Sequence, residues 1–231
     1  MSPNHLIIGS GGPTGECLRK HLQSKRATVY NTSHRPLPSP MTTGHIHWIS
    51  LDLFSPEEGL KDLGRAFSGE KKFGSMTIFS HPTLSRKTDP LSVRDPLDFF
   101  PALTGIKKLL DCCLPFLEDG VILAVQPCMT LLKASGYLNA RVYFGGMRGL
   151  LEEYSRAIPA ETTCFLTLEL AHIPDGSTPQ IPPAVMERME RQTIGGFPDP
   201  DSLARTIMDL TAFQRPWMQG KTLRFPDSAF F

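Results

Sequence analysis

Residues 9–15 read Gly9-Ser10-Gly11-Gly12-Pro13-Thr14-Gly15, and Gly9, Gly12 and Gly15 fall three apart where the apolar run HLIIGS gives way to a helical pattern. Glycine accepts positive φ and lets the backbone approach a ligand closely, and a helix N-terminus offers unpaired N–H groups with a positive dipole end. That combination is chemistry for a pyrophosphate, so the turn is a candidate dinucleotide site; a turn that serves packing alone, stiffened by Pro13, is the competing reading. After the second apolar run, ATVYNTS, the position expected to hold an acid for a ribose 2′-hydroxyl reads Thr32-Ser33-His34-Arg35. Hydroxyls and a cation over Ser33, His34 and Arg35 suit a 2′-phosphate, which favours NADP(H) over NAD(H), against the alternative of a solvated Arg35 in a surface loop. The third run ends on Asp52-Leu53, where a carboxylate can accept from an adenine amino group or simply cap the turn before Ser55-Pro56-Glu57.

Such groups need a scaffold that gathers strand ends. The runs HLIIGS, ATVYNTS, HIHWISL, SMTIFS, GVILAVQ and CFLTLELAHI alternate with segments of helical periodicity. That alternation predicts βαβ units and an α/β fold: a Rossmann-like, doubly wound parallel sheet flanked by helices in a single domain spanning 1–231. The strands are apolar without alternation, as expected when helices cover both faces. Helices are expected over 15–24, 97–117, 142–158, 185–193 and 202–213. Prolines cluster at 36–40, 179–183 and 198–200, where they mark loops.

With 231 residues and 40% hydrophobic content the chain has enough apolar surface for one sizeable core. Its 24 Lys and Arg against 23 Asp and Glu leave a charge of +1, no basic field for nucleic acid or an anionic membrane. A small-molecule substrate is the expected partner. No charged and apolar leader and no run near the ~20 residues of a membrane span is visible, so a soluble, cytoplasmic protein is expected. The five cysteines, Cys17, Cys112, Cys113, Cys128 and Cys164, show no CxxC pairing and no clustered histidines. Neither disulfides nor a metal site are expected, and adjacent Cys112 and Cys113 read as buried structural thiols.

Taken together these features resemble the short-chain dehydrogenase/reductase family over nearly the whole chain. Phe197-Pro198-Asp199-Pro200-Asp201-Ser202-Leu203-Ala204, Ile207-Met208-Asp209-Leu210 and Met218-Gln219-Gly220-Lys221-Thr222-Leu223 look like its late helix and final strand. Leu103-Thr104-Gly105 and Leu114-Pro115 match its fourth helix, and Gly149-Leu150-Leu151 with Arg156-Ala157-Ile158 is similar to the helix that normally carries its Tyr and Lys. The resemblance implies a homodimer or homotetramer, joined in relatives through the helices at 97–117 and 142–158. It also implies a tetrad in which Ser and Tyr polarise a carbonyl, Lys lowers the phenol pKa from ~10, and Asn anchors a water relay.

An ungapped alignment instead puts Ala102 at the Asn position, Pro127 at the Ser, Ala140 at the Tyr and Phe144 at the Lys, and Phe79-Ser80-His81-Pro82 replaces the Asn-Asn-Ala-Gly segment. No Tyr is followed four residues later by Lys; only Tyr137 and Arg141 keep a phenol and a cation one helical turn apart. They form a candidate substitute pair, with a loop Tyr and surface Arg as the alternative, and Arg cannot give up its proton as Lys can. Where the family has a Pro-Gly turn beside the nicotinamide, this chain reads His172-Ile173-Pro174-Asp175-Gly176. Pro174 is assigned to the cofactor and Asp175 to catalysis, stabilising a substrate cation or moving a proton. Pro174-Asp175 is similar to an element in fungal indole-alkaloid reductases that lack the tetrad and couple imine reduction to a Diels-Alder cyclisation. An ordinary turn Asp is the competing reading.

The expected function is therefore NADPH-dependent reduction of a pre-activated imine or iminium in natural-product metabolism, with or without cyclisation. Two alternatives stay open: a redox-silent isomerase or cyclase using His81, His172, Asp175 and Tyr137 as acids and bases, and a non-catalytic regulatory protein that senses NADP(H).

Overall fold

Short apolar runs separated by glycine and proline form the strands of one sheet in the computed structural model, which describes residues 4–34, 42–68, 72–79, 100–127, 138–170, 187, 198–212 and 216–225. Side chains at 42, 43, 118, 127 and 138–141 are outside that description. The elements are β1 (Asn4–Ile8), α1 (Pro13–Ser24), β2 (Thr28–Ser33), β3 (Thr42–Thr43), β4 (Ile46–Ser50), α2 (Glu57–Phe67), β5 (Phe73–Ile78), α3 (Phe100–Cys113), β6 (Leu117–Pro127), α4 (Leu138–Ala157), β7 (Thr163–Leu170), α5 (Pro200–Ala212) and β8 (Thr222–Phe225). The sheet order is β3-β4-β2-β1-β5-β6-β7-β8, and every pairing is parallel except the two-residue β3 on β4. The chain thus winds outward from β1 in one direction and returns to build the other half from β5.

Alternate residues of each strand feed two cores. Leu6, Tyr30, Met76, Ile122 and Phe165 face α2, α3 and α4, whereas Ile7, Val29, Val121 and Leu166 face α1 and α5. β5 and β7 are buried along their whole length, so even their polar residues Ser75, Thr77, Thr163, Thr167 and Glu169 lie inside. At the edge, β8 alternates exposed and half-buried residues instead, because only the face carrying Leu223 and Phe225 packs on the core. The α5 start is capped by Asp199, whose Oδ1 accepts from the Asp201 and Ser202 backbone N–H groups at 2.9 Å. His21 on α1 and Asp201 on α5 approach to 2.7 Å and tie the two helices together.

The Pro13 ring starts α1 two residues earlier than expected, since its fixed φ suits the first helical position. The segment expected as one helix over 97–117 divides into α3, a 3-10 turn over Leu114–Phe116 and the start of β6, with Pro115 ending the helix. α4 begins at Leu138 and ends at Ala157, and α5 runs over Pro200–Ala212, each shifted from the expected bounds. The expected 185–193 helix lies outside the described residues apart from 187. α2 and β3 are additional to the expectation. Among the described residues no helix is long and apolar enough to cross a membrane, and no group of three or more His, Cys, Asp or Glu could hold a metal ion.

His5 near the start of β1 shows how burial sets a pH limit on this fold. Its Nδ1 lies 2.6 Å from Ser75 Oγ, and desolvation, with a smaller contribution from Lys25, lowers its pKa from 6.5 to about 4. The unfolded chain binds this proton more readily, so stability is full above pH ~6.5 and falls as pH drops toward 4. A loss of about 3 kcal/mol across that window is expected from this one group. Urea midpoints measured from pH 7.5 to 4.5 should slope steeply in the wild type and less in His5→Asn; equal slopes would contradict the assignment.

Cys113 is buried as expected, whereas Cys112 is only half-buried. A hydrogen bond with Cys113 lowers the Cys112 thiol to about 7, outweighing the opposing effect of burial. The reading of both as buried structural thiols therefore holds for Cys113 and not for the half-buried Cys112. Cys128 is outside the described residues.

Candidate functional site

The sheet order reverses direction between β1 and β5, and in open α/β sheets the crevice at that reversal, beyond the carboxyl ends of the strands, is where ligands bind. The glycine turn leaves β1 at this point. Gly9 has φ +75°, and a Cβ there would sit 2.7 Å from the Phe79 carbonyl oxygen just past β5. Gly15, in the first turn of α1, would bring a Cβ within 2.5 Å of the Ser10 carbonyl oxygen. Both positions require glycine, so the turn folds tightly back on its own helix. Gly12 is the N-cap with extended backbone, and it makes no side-chain cap. The first donors of α1 are thus left without an intrahelical partner or a side-chain cap. The residues present therefore fit a pyrophosphate: close backbone, uncapped donors and the positive end of a 12-residue helix.

The other expected contacts line up along the same sheet end. Thr32 is buried, and its Oγ1 accepts from the Gly9 N–H at 3.2 Å, which locks the turn to β2. Ser33 closes β2, paired with Ser50 at the end of β4, and exposed His34 follows it. Asp52 lies two residues beyond β4, where its Oδ1 accepts from the Phe54 backbone N–H at 3.0 Å. It is an exposed carboxylate whose one oxygen caps the local turn, the alternative role the sequence offered for it. Leu53 is half-buried, and α3 crosses its carbonyl oxygen closely at Gly105. Gly9, Gly12, Gly15, Ser33, His34, Asp52 and Leu53 thus occupy the adjoining ends of β1, β2 and β4. Arg35, Pro174, Asp175, Tyr137, His81 and His172 lie outside the described residues. Arg141 falls in the first turn of α4, with its side chain also outside the description.

Of the residues that the ungapped alignment set against the tetrad, Ala102 on α3 is 1% exposed and Phe144 on α4 is 3% exposed, both in the core. Phe144 packs edge-on against Tyr143 with ring centroids 5.2 Å apart. Pro127 ends β6 and Ala140 lies in the first turn of α4.

One polar cluster escaped the sequence reading. Glu169 on β7 is 2% exposed, and its carboxylate meets Gln126 Nε2 at 3.4 Å, Arg224 Nε at 3.5 Å and Arg148 Nη1 at 3.7 Å. Gln126, Glu169 and Arg224 lie side by side in register across β6, β7 and β8. The signal was present as a lone acid inside an apolar strand, where a charge survives only if paired. Gln219 does comparable work in the backbone: its Oε1 accepts from the Phe165 N–H at 2.8 Å, and its Nε2 donates to the Ser155 and Ile158 carbonyls at 3.0 Å.

No family model and no curated protein matches this sequence. Solved structures do match it in shape. A short-chain dehydrogenase/reductase from Serratia marcescens superposes with a TM-score of 0.72 at 16% identity, covering 96% of this chain and 94% of that one. A short chain dehydrogenase family protein from Francisella tularensis gives 0.74 at 12% identity, with 96% of both chains covered. The angucycline C-6 ketoreductase LanV with bound NADP gives 0.71 at 14% identity, covering 96% of this chain and 93% of LanV. Strand order, the turn after β1 and near-complete coverage agree: this chain has the fold of the short-chain dehydrogenases/reductases.

Proposed function

We propose that this chain is an atypical member of the short-chain dehydrogenase/reductase family that binds NADP(H) and reduces a pre-activated imine or iminium, with cyclisation of the product as a coupled step. The observation that carries the cofactor reading is the glycine turn at the sheet's crossing point, closed on Phe79 and Ser10 and left uncapped. Ser33 and His34 at the end of β2, with Arg35 next in sequence, favour the 2′-phosphate form, and LanV, of the same fold, carries NADP. Bound NADPH supplies a hydride. An iminium carbon accepts it without prior protonation, so the apolar residues at 102, 140 and 144 are no obstacle, whereas a neutral ketone needs an acid to polarise it. Asp175 is assigned to hold the substrate cation and Tyr137 with Arg141 to orient it, which is where the rate must come from.

The test is consumption of NADPH, followed at 340 nm, with cyclic imines and iminium salts against ketones of matching size. Turnover of the former with Asp175→Asn at least about 100-fold slower is expected, since a lost counter-charge of this kind removes ~2.7–4 kcal/mol of transition-state stabilisation. Full activity in that variant sinks the assignment of Asp175. A second reading, an NADP(H)-sensing protein without turnover, draws on the buried apolar Ala102 and Phe144; binding of NADPH with no consumption across the imine panel would favour it. Assembly as a homodimer or homotetramer through α3 and α4 is part of the same proposal, and a light-scattering mass of one protomer would contradict it.

A further inference from the structure

Arg19 lies on α1, one of its middle turns, yet its guanidinium reaches back past the helix start. Nη1 donates to the Ser10 carbonyl oxygen at 2.7 Å and to Ser10 Oγ at 2.8 Å. The guanidinium carbon sits 5.0 Å from the centre of the Trp48 ring, and Trp48 is paired in register with Asn31 across β4 and β2. Ser10 Oγ in turn donates to Asn31 Oδ1. Asn31 is fully buried, and its Nδ2 has no hydrogen-bond partner. Trp48 and Asn31 thus form a floor under the glycine turn, and Arg19 clamps the turn onto it.

This arrangement is unfavourable for the protein alone. A cation held at the positive end of a helix opposes the dipole, and the first-turn acid Glu16, which partly offsets it, is shared with Lys20 at 2.7 Å. Pro13 meanwhile removes one backbone donor from the helix start. An anion at the turn would offset the cation's opposition to the helix dipole. We infer that Arg19, fixed by Trp48 and Ser10, is a positioning residue for a pyrophosphate: it sets the turn and supplies the positive potential that Pro13 takes away. The inference rests on the dinucleotide reading and adds to it a cation from the body of α1.

Affinities for ADP and for adenosine, measured by chemical-shift titration of the whole chain, separate pyrophosphate recognition from recognition of the nucleoside. In Arg19→Met, which keeps the apolar stem, ADP binding should weaken about tenfold or more, as for loss of a charge-assisted contact, while adenosine binding stays within about twofold. Arg19→Lys should recover ADP affinity to within about threefold of the wild type. If Arg19→Met does not fold, Arg19→Gln takes its place, with thermal unfolding run on each variant. Unchanged ADP affinity, or parallel loss of ADP and adenosine, overturns the role of Arg19. Failure of the wild type to bind either NADPH or ADP overturns the dinucleotide reading itself, whereas a wild type that binds both beside an unaltered Arg19→Met overturns this inference alone.

Discussion

Gly9→Ala is expected to weaken NADPH binding by about 10- to 100-fold, the scale of losing one charge-assisted hydrogen bond to the pyrophosphate. The reason is geometric. Gly9 holds φ +75°, and its added Cβ would come within 2.7 Å of the Phe79 carbonyl oxygen, so the turn must move away from β5. Its N–H would also leave Thr32 Oγ1, the contact that anchors the turn on β2. Strain in a left-handed position adds a stability loss of about 1–3 kcal/mol. Gly64→Ala in α2 is the matched control: a Cβ there meets nothing within 4 Å, and helix propensity predicts a gain of about 0.5–1 kcal/mol. Fluorescence titration with NADPH and thermal unfolding of both variants check this. Gly9→Ala binding as tightly as the wild type would show that the turn is a packing element only.

The second large effect concerns Glu169. Arg148→Met/Arg224→Met keeps the apolar stems but strips the buried carboxylate of both cations, and leaving such a charge uncompensated costs about 3 kcal/mol or more. Adding Glu169→Gln removes the stranded charge, so the triple variant should regain more than half of the loss. Denaturant midpoints of the double and triple variants test this coupling. A triple variant no more stable than the double would mean that the arginines act through packing rather than charge.

What could be read from the chain follows from how local each signal was. The strands were legible because both faces of the sheet are covered, and β1 and β6 therefore carry the apolar runs LII and VILAV. The glycine turn was legible because its three glycines and its helix are contiguous. α2 was not, because its eleven residues include Glu57, Glu58, Lys61, Asp62 and Arg65, and this charge obscures the Leu63 and Phe67 anchors. The long helix expected over 97–117 overran because apolar spacing continues through Leu114 and Phe116 into β6. Glu169 and Gln126 stand 43 residues apart, and only the parallel register of β6 and β7 makes them neighbours. Arg19 falls inside the helical pattern over 15–24, and nothing in its spacing indicates that it turns back to Ser10 and Trp48.

Every role proposed for this chain requires that the site at the end of β1 take a dinucleotide. Titrating the purified wild-type protein with NADPH and NADH, by nicotinamide fluorescence, tests that directly. Saturable NADPH binding is predicted, at least about tenfold tighter than NADH, the discrimination expected from charge-assisted contacts to one additional phosphate. Binding of neither nucleotide, or tighter binding of NADH, would contradict it.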